Sequence, residues 1–215
     1  SVSAFLLNRS SDLLVSMAHT NTDESKKIPL GSGEVYCVEY SGSIPSDASI
    51  ETEANRLGHI TGGASFEYKP TVYTAKDDLN KVHKRIVTDE EATLKLGLIT
   101  WNTTVLNKLI ETGTVTESNG KREFKIGGIE NQSHKNYIYR FVNKDAVDGD
   151  TRLTVVGANE AGLSIAWAKD KEAAINPEIK AVPMSDGSLA IINEEVLSVS
   201  GRAAASSSSS STSGS

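Results

Sequence analysis

Apolar and polar residues alternate along most of the chain between residues 31 and 200, and this period of two predicts β-strands with one buried face. The alternating segments are separated by glycine, proline, asparagine and aspartate, which are typical of turns. The pattern predicts single strands or hairpins at 34–40, 63–74, 85–100, 114–126, 136–158, 161–168 and 178–192.

Two of these segments, 63–74 and 85–100, are long enough to present one apolar and one polar face. The apolar face carries Phe66, Tyr68, Val72, Ala92, Leu94, Leu96 and Leu98, and we expect Leu94, Leu96 and Leu98 to point to the core. The opposite face carries Ser65, Glu67, Lys69, Thr71, Thr93 and Lys95. Pro70 has no N–H group and predicts an edge strand or a bulge. A one-residue bulge there or at Gly62-Gly63 would exchange the two faces.

The pattern changes to a helical one only at 102–113, where four apolar residues share one face: Val105, Leu106, Leu109 and Ile110. Asn102 or Thr103 can cap its start, and Gly113 suits the position after its end. So short a helix must pack against a sheet to be stable. Asn119-Gly120 predicts a type I′ hairpin turn, and Asp186-Gly187 predicts another turn. The expected fold is mainly β, an antiparallel β-sandwich or partly open barrel with one short packed α-helix.

The two ends of the chain differ from this body. Residues 1–30 lack clear periodicity and predict an N-terminal arm or connector, and residues 31–200 form the predicted β-sandwich domain. Residues 201–215 are rich in serine, and such a composition cannot bury enough apolar surface to become ordered. We therefore expect a disordered tail there.

Composition narrows the classes of function. A net charge of −6 argues against a general nucleic-acid binder. The one cysteine, Cys37, lies in an alternating strand, so we expect a buried thiol, no internal disulfide and a reducing, intracellular setting. No apolar run approaches the roughly 18 residues of a membrane span, so no membrane segment is predicted.

The residues that could carry chemistry do not form a recognisable site. None of the four histidines has a second histidine or cysteine at metal-ligand spacing: His19, His59, His83 and His134. Asp145, Asp148 and Asp150 share one loop, and without a calcium-loop pattern a polar turn is the expected reading. Alternation turns Asp89 and Glu91 to one side of their strand and Glu90 to the other. We predict no catalytic, metal or cofactor site, and no enzyme.

Several pieces stand in a fixed order and spacing between residues 47 and 195. An acidic connector ending in Leu57-Gly58 is followed by Gly62-Gly63, a strand with Tyr-x-Pro, and an acid-containing strand that closes on Thr-Trp-Asn before a short helix. Later pieces are KREFKIGG, YIYRFVNK, TRLTVVGANEAGLSIAWA and EIKAVPMSDGSLAIINEE. In the order and spacing of these pieces, residues 47–195 resemble bacteriophage tail tube (major tail) proteins.

The resemblance implies a structural virion protein that assembles in the host cytoplasm into the viral tail. Its subunits would form homohexameric rings, stacked into a hollow conduit for DNA delivery, with a long hairpin from each subunit joining a continuous β-barrel around the channel. The implied partners are further copies of the chain, a tape-measure protein, and tail-terminator and tail-tip proteins, while DNA passes without specific binding. Contractile and non-contractile tails both stay possible; the length and the long terminal segments favour the non-contractile kind.

In such a tube the polar strand face would line the bore, so the expected lumen residues are Ser65, Glu67, Lys69, Thr71, Thr93 and Lys95. The charged loop 74–84 would make contacts between rings or subunits through Asp77, Asp78, Lys81, Lys84 and Arg85. Two other readings remain open. One is a monomeric β-sandwich that decorates the virion or binds a receptor, and the other is an enzyme on a β-sandwich.

Overall fold

The computed structural model describes residues 33–196 except 77, 79–82, 147 and 171. The predicted arm at 1–30 and tail at 201–215 lie outside the described residues. The fold is mainly β and antiparallel, a β-sandwich with a short packed helix, as the sequence predicts. Its strands are β1 Glu34–Glu39, β2 Arg56–Gly58, β3 Ile60–Lys76, β4 His83–Leu98, β5 Gly113–Ser118, β6 Lys121–Ile126, β7 Tyr137–Asn143, β8 Thr151–Asn159, β9 Glu178–Ala181 and β10 Ala190–Glu194. Its helices are α1 Asp47–Ile50 and α2 Thr103–Leu109.

The sandwich is produced by a branch in the main sheet at β8. The strand order is β2-β1-β7-β8-β9-β4-β3, and β10 also pairs with β8. The first part of β8 pairs with β10 from Thr151 to Val155, and its last part pairs with β9 from Gly157 to Asn159. One edge of β8 therefore pairs with two different strands, β10 and then β9. At this point the sheet divides into two layers, with β1, β7 and β8 in one and β9, β4 and β3 in the other.

The core lies between these layers. Val35 and Cys37 on β1, Tyr139 on β7 and Val155 on β8 face the buried leucines of β4, Leu94, Leu96 and Leu98. A second, smaller core covers the other face of β1, β7 and β8, where Ile50 of α1 and Met184 pack on Ile138 and Val156. The predicted inward direction of the β4 leucines and the buried thiol of Cys37 are confirmed.

Helix α2 follows the prediction at its start and departs from it at its end. The Asn102 side chain accepts a hydrogen bond from the Val105 N–H at 3.0 Å, and Val105, Leu106 and Leu109 are buried. Gly113 was expected to terminate the helix, but the helix ends at Leu109 and Gly113 begins β5. A Cβ atom at Gly113 would lie 2.7 Å from the Phe124 ring, so this glycine allows β6 to approach the helix.

The predicted turns are confirmed, and one predicted strand is wrong. Asn119 and Gly120 have φ values of 52° and 71°, the positive pair that a type I′ turn requires. Residues 161–168 form no named strand, although Leu163 and Ile165 pack on the core. The Asn159 side chain donates to the Gly162 carbonyl at 2.8 Å and accepts from the Glu178 N–H at 2.9 Å. The chain therefore turns away, and β9 takes the place beside β4.

Candidate assembly surface

The six predicted lumen residues lie together on one face of the β3–β4 hairpin. Ser65 stands opposite Lys95 and Glu67 opposite Thr93, and Lys69 and Thr71 continue the row on β3. The neighbouring β4 side chains on the other face, Leu94 and Leu96, are buried. The structure thus places the predicted set away from the core, with most of its members exposed.

The same polar face extends onto β9. Glu178 pairs with Lys95 in the sheet, and their charged groups are 3.1 Å apart. Lys180 lies 3.7 Å from Glu91 and 3.8 Å from Glu160. Around the paired region of β3, β4 and β9 in the described chain, five carboxylates outnumber three ammonium groups; they are Glu67, Asp89, Glu91, Glu160 and Glu178 against Lys69, Lys95 and Lys180. Lys84 lies on the same face nearer the tip of the hairpin, opposite Ala75.

The three consecutive acids of β4 do not converge. Asp89 and Glu91 stand opposite Thr71 and Lys69 on the polar face, while Glu90 stands opposite Pro70. On that other face Glu90 accepts a hydrogen bond from the Tyr68 hydroxyl at 3.0 Å, which raises the pKa of Tyr68. The three acids are therefore spread over both faces of one strand.

Two register shifts flank the regular pairing of β3 with β4, which runs from Ala64 opposite Leu96 to Thr71 opposite Asp89. Between these shifts, the polar and apolar residues stay on the faces that the sequence predicts. Between Ile60 and Ala64 the register shifts at Gly62-Gly63, whose φ values are 73° and 80°. The second shift leaves Thr88 of β4 as the extra residue, because Thr71 pairs with Asp89 and Val72 with Val87. Pro70 lies one residue before Thr71 on β3, the edge strand, as predicted.

Beyond Thr88 the hairpin carries apolar side chains on both faces. Tyr73 and Ile86 form a cross-strand pair that continues the polar face, and both are about half exposed. On the opposite face Val87, 54% exposed, stands beside the partly buried Val72. The continuous row of polar side chains on this face of β3 therefore ends at Thr71.

The outer half of the hairpin has no strand beside it among the described residues. β9 pairs with β4 from Thr93 to Lys95, so β4 is open from 83 to 92, and β3 is open along its whole length. We call residues 68–76 and 83–92 the overhang. At about 3.3 Å per residue, its β3 half spans roughly 30 Å.

The described members of the predicted contact set, Asp78, Lys84 and Arg85, lie in or near the tip of the overhang. Asp77 and Lys81 fall outside the described residues, and Asp78 is exposed in the turn. Lys84 stands opposite Ala75 and Arg85 opposite Thr74, so their exposed side chains point to opposite faces. The predicted loop at 74–84 is shorter than expected, because β3 continues to Lys76 and β4 starts at His83.

A groove opens between the two layers next to the base of β3. Its volume is about 420 Å³, and one wall is formed by Gly62, Gly63, Ala64 and Phe66. The opposite wall is formed by Phe141, Asn143, Thr151, Leu153 and Ile192. Ile192 is 65% exposed, and its neighbour two residues along β10, Glu194, pairs with Thr151. We call this the base groove.

A cluster of charges that sequence reasoning missed fixes α1 to the sheet. The buried Arg140 pairs with Asp47 and lies 3.5 Å from Glu51, while its Nε donates to Thr154 at 3.0 Å. Arg152 donates to Glu51 at 2.7 Å. The spacing of Asp47 and Glu51, four residues apart, is a signal that could have indicated a shared helical face.

The described residues show no group of three or more metal-ligating side chains that could hold an ion. The aspartates of the 145–150 loop bond within that loop: Asp145 accepts from the Asp148 N–H at 3.0 Å, and Asp150 accepts from the Asp145 N–H at 3.2 Å. Within the described ranges, no helix has the length and apolar character needed to cross a membrane.

No protein-family model matches the sequence. A search of curated proteins gives no significant match either.

Proposed function

We propose that the chain is the structural subunit of a phage tail tube, which forms rings that stack into a hollow conduit for DNA. Hexameric rings are what the resemblance implies. The observation that carries the proposal is the overhang: a β-hairpin with both outer edges unpaired among the described residues and one polar face.

An isolated two-stranded hairpin is marginally stable in water. β3 has 17 residues, well above the usual strand length, and a long open edge invites pairing with another chain. Closing the strands of several copies into a barrel removes these edges. Pairing of β3 of one copy with β4 of the next satisfies the open edge of β4 and part of the longer edge of β3 with a single repeated contact.

The polar face then lines the bore, and its charge suits the passage of DNA. Protein cations that neutralise phosphates release counterions and hold DNA in place. Here the lysines are outnumbered, and the three of the paired region each have a carboxylate partner: Lys69 lies 2.9 Å from Glu67, Lys95 pairs with Glu178, and Lys180 with Glu91. DNA would therefore find few free cations to bind.

Negative-stain electron microscopy combined with analytical ultracentrifugation tests the proposal. The expected result is rings or hollow rods, with a sedimentation coefficient that rises with protein concentration. A single monomer peak at all concentrations, with featureless particles, would favour the monomeric decoration or receptor-binding module instead.

A further inference from the structure

We infer that the overhang of one copy docks in the base groove of the next copy, so that each subunit covers the open mouth of its neighbour's sandwich. The inference rests on the proposed function and adds the partner surface. It follows from the register that the sheet permits and from the side chains that this register brings together.

The first step is the register. Since β9 occupies the edge of β4 from Thr93 onward, β3 of another copy can pair only with residues 83–92. With Thr88 again the inserted residue, a β3 that pairs from Ile60 places Ile60 opposite Ala92, Ala64 opposite Val87 and Tyr68 opposite His83 of the other copy, so that residues of the core-side face stand opposite each other. The neighbour's Val87 then lies beside residues 64–66, which form one wall of the base groove.

The second step is the direction. β3, β4, β9 and β8 are successively antiparallel, so the start of β8 at Thr151 lies at the same end as the tip of β3. In a ring all tips point the same way. The tip of the neighbour's overhang therefore points towards the Thr151–Glu194 end of the groove.

The third step is the chemistry. On the core-side face of the overhang, Val72 and Val87 are followed towards the tip by Arg85, and His83 and Lys76 stand opposite each other beyond it. In the groove Phe66, Leu153 and Ile192 supply apolar surface, and Glu194 lies two residues beyond Ile192 on the same side of β10. On the overhang, Val87 is followed two residues nearer the tip by the positive charge of Arg85. In the groove, Ile192 is followed at the same spacing and in the same direction by the negative charge of Glu194.

Double-cysteine cross-linking tests this contact. Val87→Cys and Ile192→Cys are combined in one chain and treated with a short bifunctional maleimide after assembly. The matched control combines Val87→Cys with Ile126→Cys, because Ile126 is 56% exposed and lies on β6, away from the groove. The native Cys37 is fully buried and does not interfere. A third variant combines Ile192→Cys with Leu6→Cys, a residue outside the described part of the chain.

The expected result is a ladder of covalent multimers from the 87/192 pair and none from the 87/126 pair. If the 87/192 variant forms rings or rods but gives no covalent multimers on a denaturing gel, the inference is overturned and the proposed function stands. A cross-link within one chain between positions 6 and 192 also overturns it, because the N-terminal segment then fills the groove. If no variant and no unmodified protein assembles, the proposed function fails as well.

Discussion

Replacement of Val87 by alanine separates the stability of the subunit from the strength of assembly. Full burial of a valine side chain contributes about 1.5–3 kcal/mol. Val87 is 54% exposed, so about half of this remains available for a contact with another copy. We expect Val87→Ala to weaken each contact by about 1 kcal/mol, which is roughly a fivefold loss in association.

Each copy added to the assembly makes one such contact, so the free energy of adding a copy becomes less favourable by this amount. The critical concentration for assembly should therefore rise about fivefold. It is measured as the concentration of free protein that remains in the supernatant after the assembled protein has been sedimented. Unfolding of the monomer in urea should change by no more than about 0.5 kcal/mol, since the substitution is at a largely exposed position. Ile126→Ala, at a comparably exposed position on β6, serves as the control and should leave the critical concentration unchanged.

The reasoning is refuted if Val87→Ala assembles at the same concentration as the unmodified protein. It is equally refuted if Ile126→Ala raises the critical concentration as much, because the effect would then not depend on the overhang.

Four further outcomes can be measured. Asn102→Ala should lower the free energy of unfolding by about 1 kcal/mol in urea, because it removes the cap on Val105, and Asn102→Asp should largely retain stability. Arg140→Ala should lower the free energy of unfolding by about 1.5–3 kcal/mol in the same assay, because it removes the charge-assisted hydrogen bond to Asp47 and the bond to Thr154, while Arg152 still pairs with Glu51; a loss below 1 kcal/mol would contradict this. Burial raises the pKa of the Cys37 thiol to about 12. The unfolded chain therefore loses this proton first, near pH 8.5–9, so stability should fall by up to about 1.4 kcal/mol per pH unit between there and pH 12, and Cys37→Ala should show a shallower fall in alkaline urea titrations. Assembled protein should not retard DNA on gels at about 0.1 M salt, whereas the double variant Glu67→Lys, Glu91→Lys should do so in a salt-sensitive way.

The sequence predicted correctly those parts of the fold that depend only on residues close to one another in the chain. Leu94, Leu96 and Leu98 alternate with polar residues because one face of β4 is buried, and no distant contact is needed to see this. The same holds for Asn119-Gly120, where the turn type depends on two residues alone.

The parts that were wrong or missed depend on contacts far along the chain. Residues 161–168 alternate like a strand, but the place beside β4 goes to β9, which comes later in the sequence. Gly113 looks like a helix terminator until the Phe124 ring is seen beside it. Helix α1 is four residues long and is held by arginines more than 90 residues away, so its local sequence gives little sign of it.

The bulge at Thr88 shows why the surface of the overhang could not be predicted even though the polar face was. Pro70 indicated an irregularity, yet the extra residue lies on the opposite strand, where the Thr88 hydroxyl donates to the Thr71 carbonyl at 3.2 Å. From that point β4 changes parity: Val87 joins the face of Tyr68, and Ile86 joins the face of Thr71. Strict alternation along β4 alone, without its pairing to β3, would place both Val87 and Ile86 on the wrong face. The position of one inserted residue therefore determines which apolar groups each face of the overhang presents.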